Sequence, residues 1–210
     1  MWKPVDVGFH GSRLPVEIVD FGATGEGELL RLLLESLNCV VLVHWPGTPE
    51  DFLRVIGQGE SCAPYLLVCG HGDAGNLIFG DYADHIDTSM LVNGNLPPER
   101  IRERVSLPGC AVINTCCSGG VRSLAQAFMG GGLRAYMGAV EDVPGDAVPL
   151  FVAHFFRQLP RVRHSVRRAW RHAASYDAES RLFALYDGQG CHRAGNRGQS
   201  TTPPGRKLST

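Results

Sequence analysis

The chain has 210 residues, of which 44% are hydrophobic and 20% charged. This is enough for one sizeable core and too little for two comfortable domains. The formal net charge of -1 gives no bulk attraction to nucleic acid or to a membrane surface. No apolar run approaches the roughly 20 residues of a bilayer span, and the N-terminus lacks the layout of a secretion signal. We therefore expect no nucleic-acid partner and no membrane association.

The cysteine content favours reduced thiols over a disulfide framework. The chain has seven cysteines, an odd number, and four of them lie within or beside apolar, strand-like runs. We therefore expect a cytoplasmic location. The seven are Cys39, Cys62, Cys69, Cys110, Cys116, Cys117 and Cys191.

Between residues 15 and 186, apolar β-branched runs alternate with helical patterns, which predicts an α/β domain with a mostly parallel sheet. Strands are predicted over residues 16–21, 39–45, 65–70, 112–115 and 134–139, with a last edge strand at 183–186. Helices are predicted over residues 28–37, 51–56, 121–129, 147–158 and 162–175. Residues 76–79 and 89–92 are predicted to form a hairpin-like excursion before a polar linker at 93–99.

The composition changes at Gly188, which divides the chain into a domain over residues 1–187 and a tail over residues 188–210. The tail is rich in Gly, Ser, Thr, Pro and Arg and has no acidic residue. Such a segment buries too little apolar surface to offset the entropy of ordering it. We therefore expect a disordered, basic and solvated tail.

Two predicted strands end at reactive side chains that are flanked or followed by glycine. His71 lies between Gly70 and Gly72, and Cys116 follows the strand at 112–115, 45 residues later. Parallel strands carry both side chains to the same edge of the sheet, where ligands bind in open α/β folds. A thiolate and an imidazole that meet there suit nucleophilic catalysis. The helix that opens after Cys116 is expected to lower the pKa of its thiol.

Each motif also has a plain structural interpretation, as a loop histidine and as a buried thiol. Cys117 lies at the same turn and competes with Cys116 as nucleophile. A zinc site is disfavoured because Cys62 and Cys69 are too far apart for paired ligands. No phosphate-binding glycine pattern follows the first strand, so we expect neither a metal nor another cofactor.

The segments Cys69-Gly-His-Gly72 and Asn114-Thr-Cys-Cys-Ser-Gly119 resemble the dyad motifs of the caspase-like cysteine peptidases, clan CD. The order of the later features resembles the CHAT branch of that clan, and the resemblance covers roughly residues 15–174. These features are a helix, a Gly-containing strand, an acidic loop, a Phe-rich helix and an Ala-containing helix. The implied fold is a caspase-like three-layer sandwich with a central, mostly parallel sheet flanked by helices.

The resemblance implies roles for individual residues. Cys116 is the nucleophile, His71 protonates the leaving amine, and the amides of Gly72 and Cys116 form the oxyanion hole. Metacaspases, which cleave after basic residues, carry an aspartate two positions before the nucleophile, where this chain has Asn114. Tentative substrate contacts are therefore Asp73, Asn114, Asp142 and Asp146. For Asp73 a turn role, and for Asp146 a helix N-cap role, remain open.

The resemblance implies a cysteine endopeptidase that cleaves a protein or peptide substrate through an acyl-enzyme. By analogy with CHAT proteins it implies a regulated bacterial protease with a specific protein partner, in defence or cell death. Two alternatives stay open. One is a catalytically silent caspase-like interaction module, and the other is a flavodoxin-like ligand-binding domain in which the two turns are packing features.

Overall fold

A computed structural model describes residues 13–22 and 25–195 of the chain. Over these residues the backbone forms ten strands and six α-helices. The strands are β1 (Leu14–Asp20), β2 (Cys39–His44), β3 (Tyr65–Cys69), β4 (His71–Asp73), β5 (Asn76–Ile78), β6 (Asn95–Leu96), β7 (Ala111–Asn114), β8 (Ala135–Ala139), β9 (Phe183–Asp187) and β10 (Gly190–His192). The helices are α1 (Glu26–Ser36), α2 (Pro49–Ile56), α3 (Pro98–Arg104), α4 (Arg122–Met129), α5 (Ala147–Gln158) and α6 (Val166–Ala173).

The main sheet has seven strands in the order β10-β9-β8-β7-β3-β1-β2. Within this sheet β2, β1, β3, β7 and β8 run parallel to one another, while β9 and β10 are antiparallel to their neighbours. The register pairs Asp20 with Cys69 and Val68 with Asn114. The carboxyl ends of β1, β3 and β7 therefore lie side by side at one edge, as the sequence predicts.

Helices cover both faces of this sheet. Along β3, Leu67 and Leu66 point to opposite faces and belong to two separate buried clusters. The first cluster includes Leu30, Phe151 and Trp170 from helices α1, α5 and α6. The second draws on α2, α3 and α4. This is a three-layer α/β/α sandwich, and the predicted fold class is confirmed. Among the described residues, no helix combines the length and apolar character needed to cross a bilayer.

Three local predictions were wrong. Residues 89–92 form no strand, and the small second sheet consists of β4, β5 and β6. The predicted polar linker contains the start of α3, where Pro98 is suited to the first helical turn and Ile101 is fully buried. The predicted helix at 162–175 begins only at Val166. It is delayed because Arg163 and His164 have positive φ angles of 53° and 59°.

Regular structure also continues beyond residue 187. β10 pairs antiparallel with β9, inside the segment that composition assigns to the tail. The guanidinium of Arg167 donates to both carboxylate oxygens of Asp187, and the ring of His192 lies 3.0 Å from that carboxylate. This polar network anchors a hairpin that hydrophobicity alone does not reveal. Residues 196–210 of the predicted tail lie outside the described residues.

A substitution at Phe151 can test the packing of the core between α5 and the main sheet. Its ring is fully buried and stacks on Phe183 with centroids 4.0 Å apart. We expect Phe151→Ala to lower the free energy of unfolding by about 3–5 kcal/mol, measured by urea denaturation, because it leaves a cavity. The matched control is Leu150→Ala at the neighbouring position, where the side chain is 42% exposed. It should change the free energy by less than about 0.5 kcal/mol; equal losses would contradict this packing.

Candidate functional site

The His71 turn and the Cys116 turn are in contact. A Cβ atom added to Gly72 would lie 3.0 Å from the Cβ of Cys116 and 2.5 Å from the carbonyl oxygen of Cys117. A side chain at position 72 would therefore collide with the backbone of the opposite turn. Glycine is required here by close approach, and the two predicted turns meet as the parallel sheet implies.

A buried hydrogen-bond chain holds the cysteine turn. The amide of Cys116 donates to Oδ1 of Asn114 at 2.9 Å, and Nδ2 of Asn114 donates to the hydroxyl of Tyr136 at 2.9 Å. That hydroxyl in turn donates to the carbonyl of Gly119 at 2.6 Å. Both polar ends of the Asn114 side chain are engaged, and the residue is fully buried. In this conformation Asn114 supports the turn and makes no wall of an open cleft.

Cys116 itself is fully buried, with its sulfur 3.9 Å from the carbonyl oxygen of Val68. Burial, followed by the nearby carboxylate of Glu26, raises the pKa of the Cys116 thiol well above its ordinary value. The expected lowering of this pKa was therefore wrong for this conformation. The backbone hydrogen bond at Cys116 favours the thiolate, as expected, but desolvation is the larger effect. The same amide, assigned to the oxyanion hole, is occupied by Asn114.

His71 is exposed at the start of β4. Within the part of the chain that the structure describes, its imidazole makes no hydrogen bond to Cys116 or Cys117. The fold brings the two turns together through the backbone of Gly72 while His71 is exposed and Cys116 is buried. A working dyad would need a rearrangement of these side chains.

A cleft of about 400 Å³ opens beside the cysteine turn. Its lining residues follow the carboxyl ends of β1, β3, β7 and β8, and ligands usually bind at this edge of the sheet in α/β folds. Cys117 lines this cleft and is partly exposed, whereas Cys116 is buried. Other walls come from Glu26, Leu29, Thr115, Val143 and Val148.

Glu26 is the residue of this cleft that the sequence analysis missed. Its carboxylate accepts a hydrogen bond from Oγ1 of Thr115 at 2.8 Å. Burial raises the pKa of Glu26 to about 7, although the hydrogen bond from Thr115 acts to lower it. An acidic residue in the first turn of a helix is common, because the helix dipole favours it, and so it draws no notice in a sequence. The available signal was its position in the segment after β1, at the same edge as His71.

The three acidic substrate candidates lie elsewhere. Asp73, Asp142 and Asp146 are all exposed, and none of them lines the cleft. Asp142 accepts a hydrogen bond from Ser118 Oγ at 3.3 Å. Asp146 precedes α5 without making a side-chain cap bond. Within residues 13–22 and 25–195, no three His, Cys, Asp or Glu side chains are grouped to hold a metal ion.

Comparison with solved structures finds similarity to cysteine proteases of clan CD type. The Saccharomyces cerevisiae separase–securin complex matches with a TM-score of 0.53 and 11% identity, over 83% of this chain and 12% of that one. The Arg-specific cysteine proteinase gingipain R matches with a TM-score of 0.47 and 11% identity, over 79% and 43%. The complex of Porphyromonas gingivalis RgpB pro- and mature domains matches with a TM-score of 0.44 and 13% identity, over 70% and 37%.

The likeness to separase shows that the two chains share a fold, at an identity too low to show more. The chain spans less than half of the gingipain chain and about one eighth of the separase chain. No protein-family model matches, and no curated protein matches. The chain therefore has the caspase-like fold, and its branch within that fold stays a prediction.

The raised pKa of Glu26 predicts a pH-dependent stability. Because the folded-state pKa of about 7 lies above the ordinary value of 4.5, the native state retains a proton that the unfolded state has lost. Stability should therefore fall as pH rises between these values. Relative to Glu26→Gln, we expect the wild type to lose roughly 2–3 kcal/mol of unfolding free energy between pH 5 and pH 8, measured by urea denaturation.

Glu28→Gln is the matched control on the same helix. The hydrogen bond from Arg31 lowers the pKa of the exposed Glu28, so its contribution is lost only at acid pH, below this window. This variant should keep the wild-type slope. If Glu26→Gln kept that slope as well, the assignment of the raised pKa would be refuted.

Proposed function

We propose that the chain is a cysteine endopeptidase with Cys116 as nucleophile and His71 as general acid. The observation that carries this proposal is the packing of Gly72 against the Cys116–Cys117 turn at the carboxyl edge of a caspase-like sheet. A thiol, an imidazole-bearing turn and a cleft lie within one small region, which supports this assignment. The shared fold with cysteine proteases supports the reaction class.

In the proposed mechanism, the Cys116 thiol gives its proton to His71, and its sulfur attacks the scissile carbonyl to form a tetrahedral intermediate. His71 protonates the leaving amine, and water then hydrolyses the acyl-enzyme. The amide of Gly72 is one proposed oxyanion donor. The amide of Cys116 can be the second only after it exchanges its bond to Asn114 for one to the oxyanion. Loss of one such donor typically costs about 100- to 1000-fold in rate.

The buried state of Cys116 implies that activity is switched on by a rearrangement of the turn. Ser118, two residues later, has a positive φ of 52°, and its hydroxyl donates a hydrogen bond to Asp142. We propose that binding of substrate or of a regulatory protein opens this turn and moves the sulfur toward His71. Separase, a solved chain that shares this fold, is in complex with securin. By the resemblance to CHAT proteins, the proposed role is that of a regulated bacterial protease in defence or cell death.

Cys117 stays the competing nucleophile, and one observation favours it. Its side chain lines the cleft and is partly exposed, whereas Cys116 is covered. The motif Cys-x-Ser-Gly favours Cys116, because Ser118 and Gly119 then stand at the matching positions. A catalytically silent interaction module is the alternative in which neither thiol reacts as a nucleophile.

The proposed substrate carries a positively charged side chain in the cleft. Glu26 supplies a carboxylate there, among apolar walls that include Leu29, Val143 and Val148. Because Asn114 is buried and neutral, it gives no charge for this purpose. Glu26 is therefore the proposed replacement for the aspartate of metacaspases. Its pKa of about 7 means that the carboxylate form predominates above neutral pH.

The nucleophile can be tested with a thiol-reactive peptide probe and with cleavage of a peptide library. We expect Cys116→Ala to lose both labelling and cleavage. His71→Ala should lose cleavage, because both side chains take part in bond breaking. Cys117→Ala is the matched control and should retain both. Loss of labelling only in Cys117→Ala would move the nucleophile to that residue. A folded wild-type protein that neither reacts with the probe nor cleaves any library peptide would favour the silent interaction module.

The selectivity is tested with paired peptides that differ only in Lys or Met at the position before the scissile bond. At pH 8 we expect kcat/KM to favour Lys, and Glu26→Gln to reduce this preference by roughly 10- to 100-fold. The wild-type preference should also grow between pH 6 and pH 8, as Glu26 ionises. Glu28→Gln should leave it unchanged. A preference for Lys that survives in Glu26→Gln would exclude Glu26 as its source.

A further inference from the structure

Helices α5 and α6 and the segment between them carry a concentration of positive charge. Residues 147–176 contain six arginines, three histidines and no acidic residue, in a chain whose formal net charge is -1. The rest of the chain holds the other 14 basic residues and all 21 acidic ones. Four exposed arginines within residues 161–171 form what we call the basic face: Arg161, Arg163, Arg168 and Arg171.

The segment between α5 and α6 holds the first two of these arginines on a fixed backbone. Leu159 and Val162 are buried and anchor the segment in the core. The amide of Arg163 donates to the carbonyl of Pro160 at 3.3 Å. The amide of His164 donates to the carbonyl of Leu159 at 2.8 Å. A ligand at these arginines therefore meets a preformed backbone, which lowers the entropic cost of binding.

On α6 the charged side lies opposite the buried side. The buried side consists of Ala169, Trp170 and Ala173. Arg168 and Arg171 are exposed, and within the part of the chain that the structure describes no arginine of the basic face lies in an ion pair. Arg167 differs from them, because it pairs with Asp187 at 2.7 Å. The described residues therefore supply no acidic partner to the basic face.

The charges on α6 oppose the formation of that helix. Arg168 lies in the first turn, where the positive end of the helix dipole disfavours a cation, and no acidic residue occupies that turn. The dipole favours Arg171 at the other end, but the two side chains are three residues apart and repel each other. Stability does not explain this arrangement, and an anionic ligand would offset both effects.

We propose that the basic face docks a short acidic segment of a protein partner. Arginine suits this role because its planar guanidinium binds a carboxylate through two parallel hydrogen bonds. Complementary charge also speeds the encounter of two proteins and excludes partners of the wrong sign. Because the four arginines lie within residues 161–171, the complementary segment is short and rich in Asp or Glu.

The basic face fits an acidic protein segment better than a membrane or a nucleic acid. A helix that binds a membrane surface inserts its apolar side into the lipid, and in α6 that side is buried in the core. A nucleic acid carries charge along its whole length. Beyond the basic face it would meet the rest of the chain, where acidic residues outnumber basic ones. A short acidic segment avoids that repulsion.

The basic face is separate from the cleft. Helix α5 begins beside the cleft, where Val148 is one of the walls, and its 12 residues span about 18 Å. Arg161 follows the other end of this helix, and none of the four arginines lines the cleft. The inference therefore goes beyond the proposed peptidase activity and does not depend on it, so docking can be measured without any cleavage assay.

Binding of a fluorescein-labelled glutamate decamer to the full chain, measured by fluorescence anisotropy, tests the proposal. We expect saturable binding whose Kd rises roughly 10-fold or more between about 50 and about 300 mM NaCl, because salt screens exposed charges. A glutamine decamer should not bind. The variant Arg163→Gln/Arg168→Gln/Arg171→Gln should keep the wild-type circular dichroism spectrum and raise the Kd by about 10-fold or more, because three guanidinium contacts are lost.

The matched control is Arg54→Gln/Arg100→Gln/Arg104→Gln. It removes the same net charge from exposed arginines of α2 and α3, each of which is ion-paired within the chain. Its Kd should stay within about twofold of the wild-type value, because those arginines are already paired. The melting temperature is a second readout. The basic-face variant should melt no lower than the wild type, since it removes repulsion between unpaired cations.

Three results would overturn the proposal. The first is a wild-type chain that does not bind the glutamate decamer. The second is equal weakening in the two triple variants, because net charge alone would then explain binding. The third is tighter binding to a uridylate decamer or to vesicles that contain phosphatidylserine, which would assign the basic face to a nucleic acid or to a membrane.

Discussion

The side-chain amide of Asn114 links the turn that follows β7 to the side chain of Tyr136 on β8. It accepts from the amide of Cys116 and donates to Tyr136, whose hydroxyl donates to the carbonyl of Gly119. Every residue in this series of hydrogen bonds is buried, so each bond avoids the cost of an unpaired polar atom in the core. The cysteine turn, its packing against Gly72 and the position of Cys117 in the cleft all depend on this arrangement.

The same arrangement explains why the thiol is covered and neutral. Asn114 draws the amide of Cys116 inward, so that this group faces the protein and not a substrate. Burial and Glu26 then disfavour the thiolate, and Glu26 itself holds a proton up to about pH 7. A positive charge in the cleft would stabilise ionised Glu26 and reduce its repulsion of a thiolate. Substrate charge, opening of the turn and ionisation of Cys116 are therefore physically linked in the proposed enzyme.

Much of the fold followed from apolar patterns. The apolar run of β3 and the Leu-rich stripe of α1 bury enough surface to define their own conformation, and both were predicted. Elements held by polar or short-range contacts were not. β9 was predicted but β10 was not, because their hairpin depends on Arg167 and Asp187, which are distant in sequence. The helix α3 is only seven residues long, and its proline start resembles a linker.

By itself, the sequence determined which residues could react and at which end of the sheet they stand, because strand length and direction are written in local patterns. It pointed to His71, Cys116 and Cys117, and the parallel sheet brought their turns together. Only the tertiary structure decided the exposure and the electrostatics of these side chains. It buries Cys116, positions Cys117 in the cleft and raises the pKa of Glu26. These properties depend on neighbours from α1, β3 and the segment before α5, and the distances among such neighbours are set by packing, which no local pattern records.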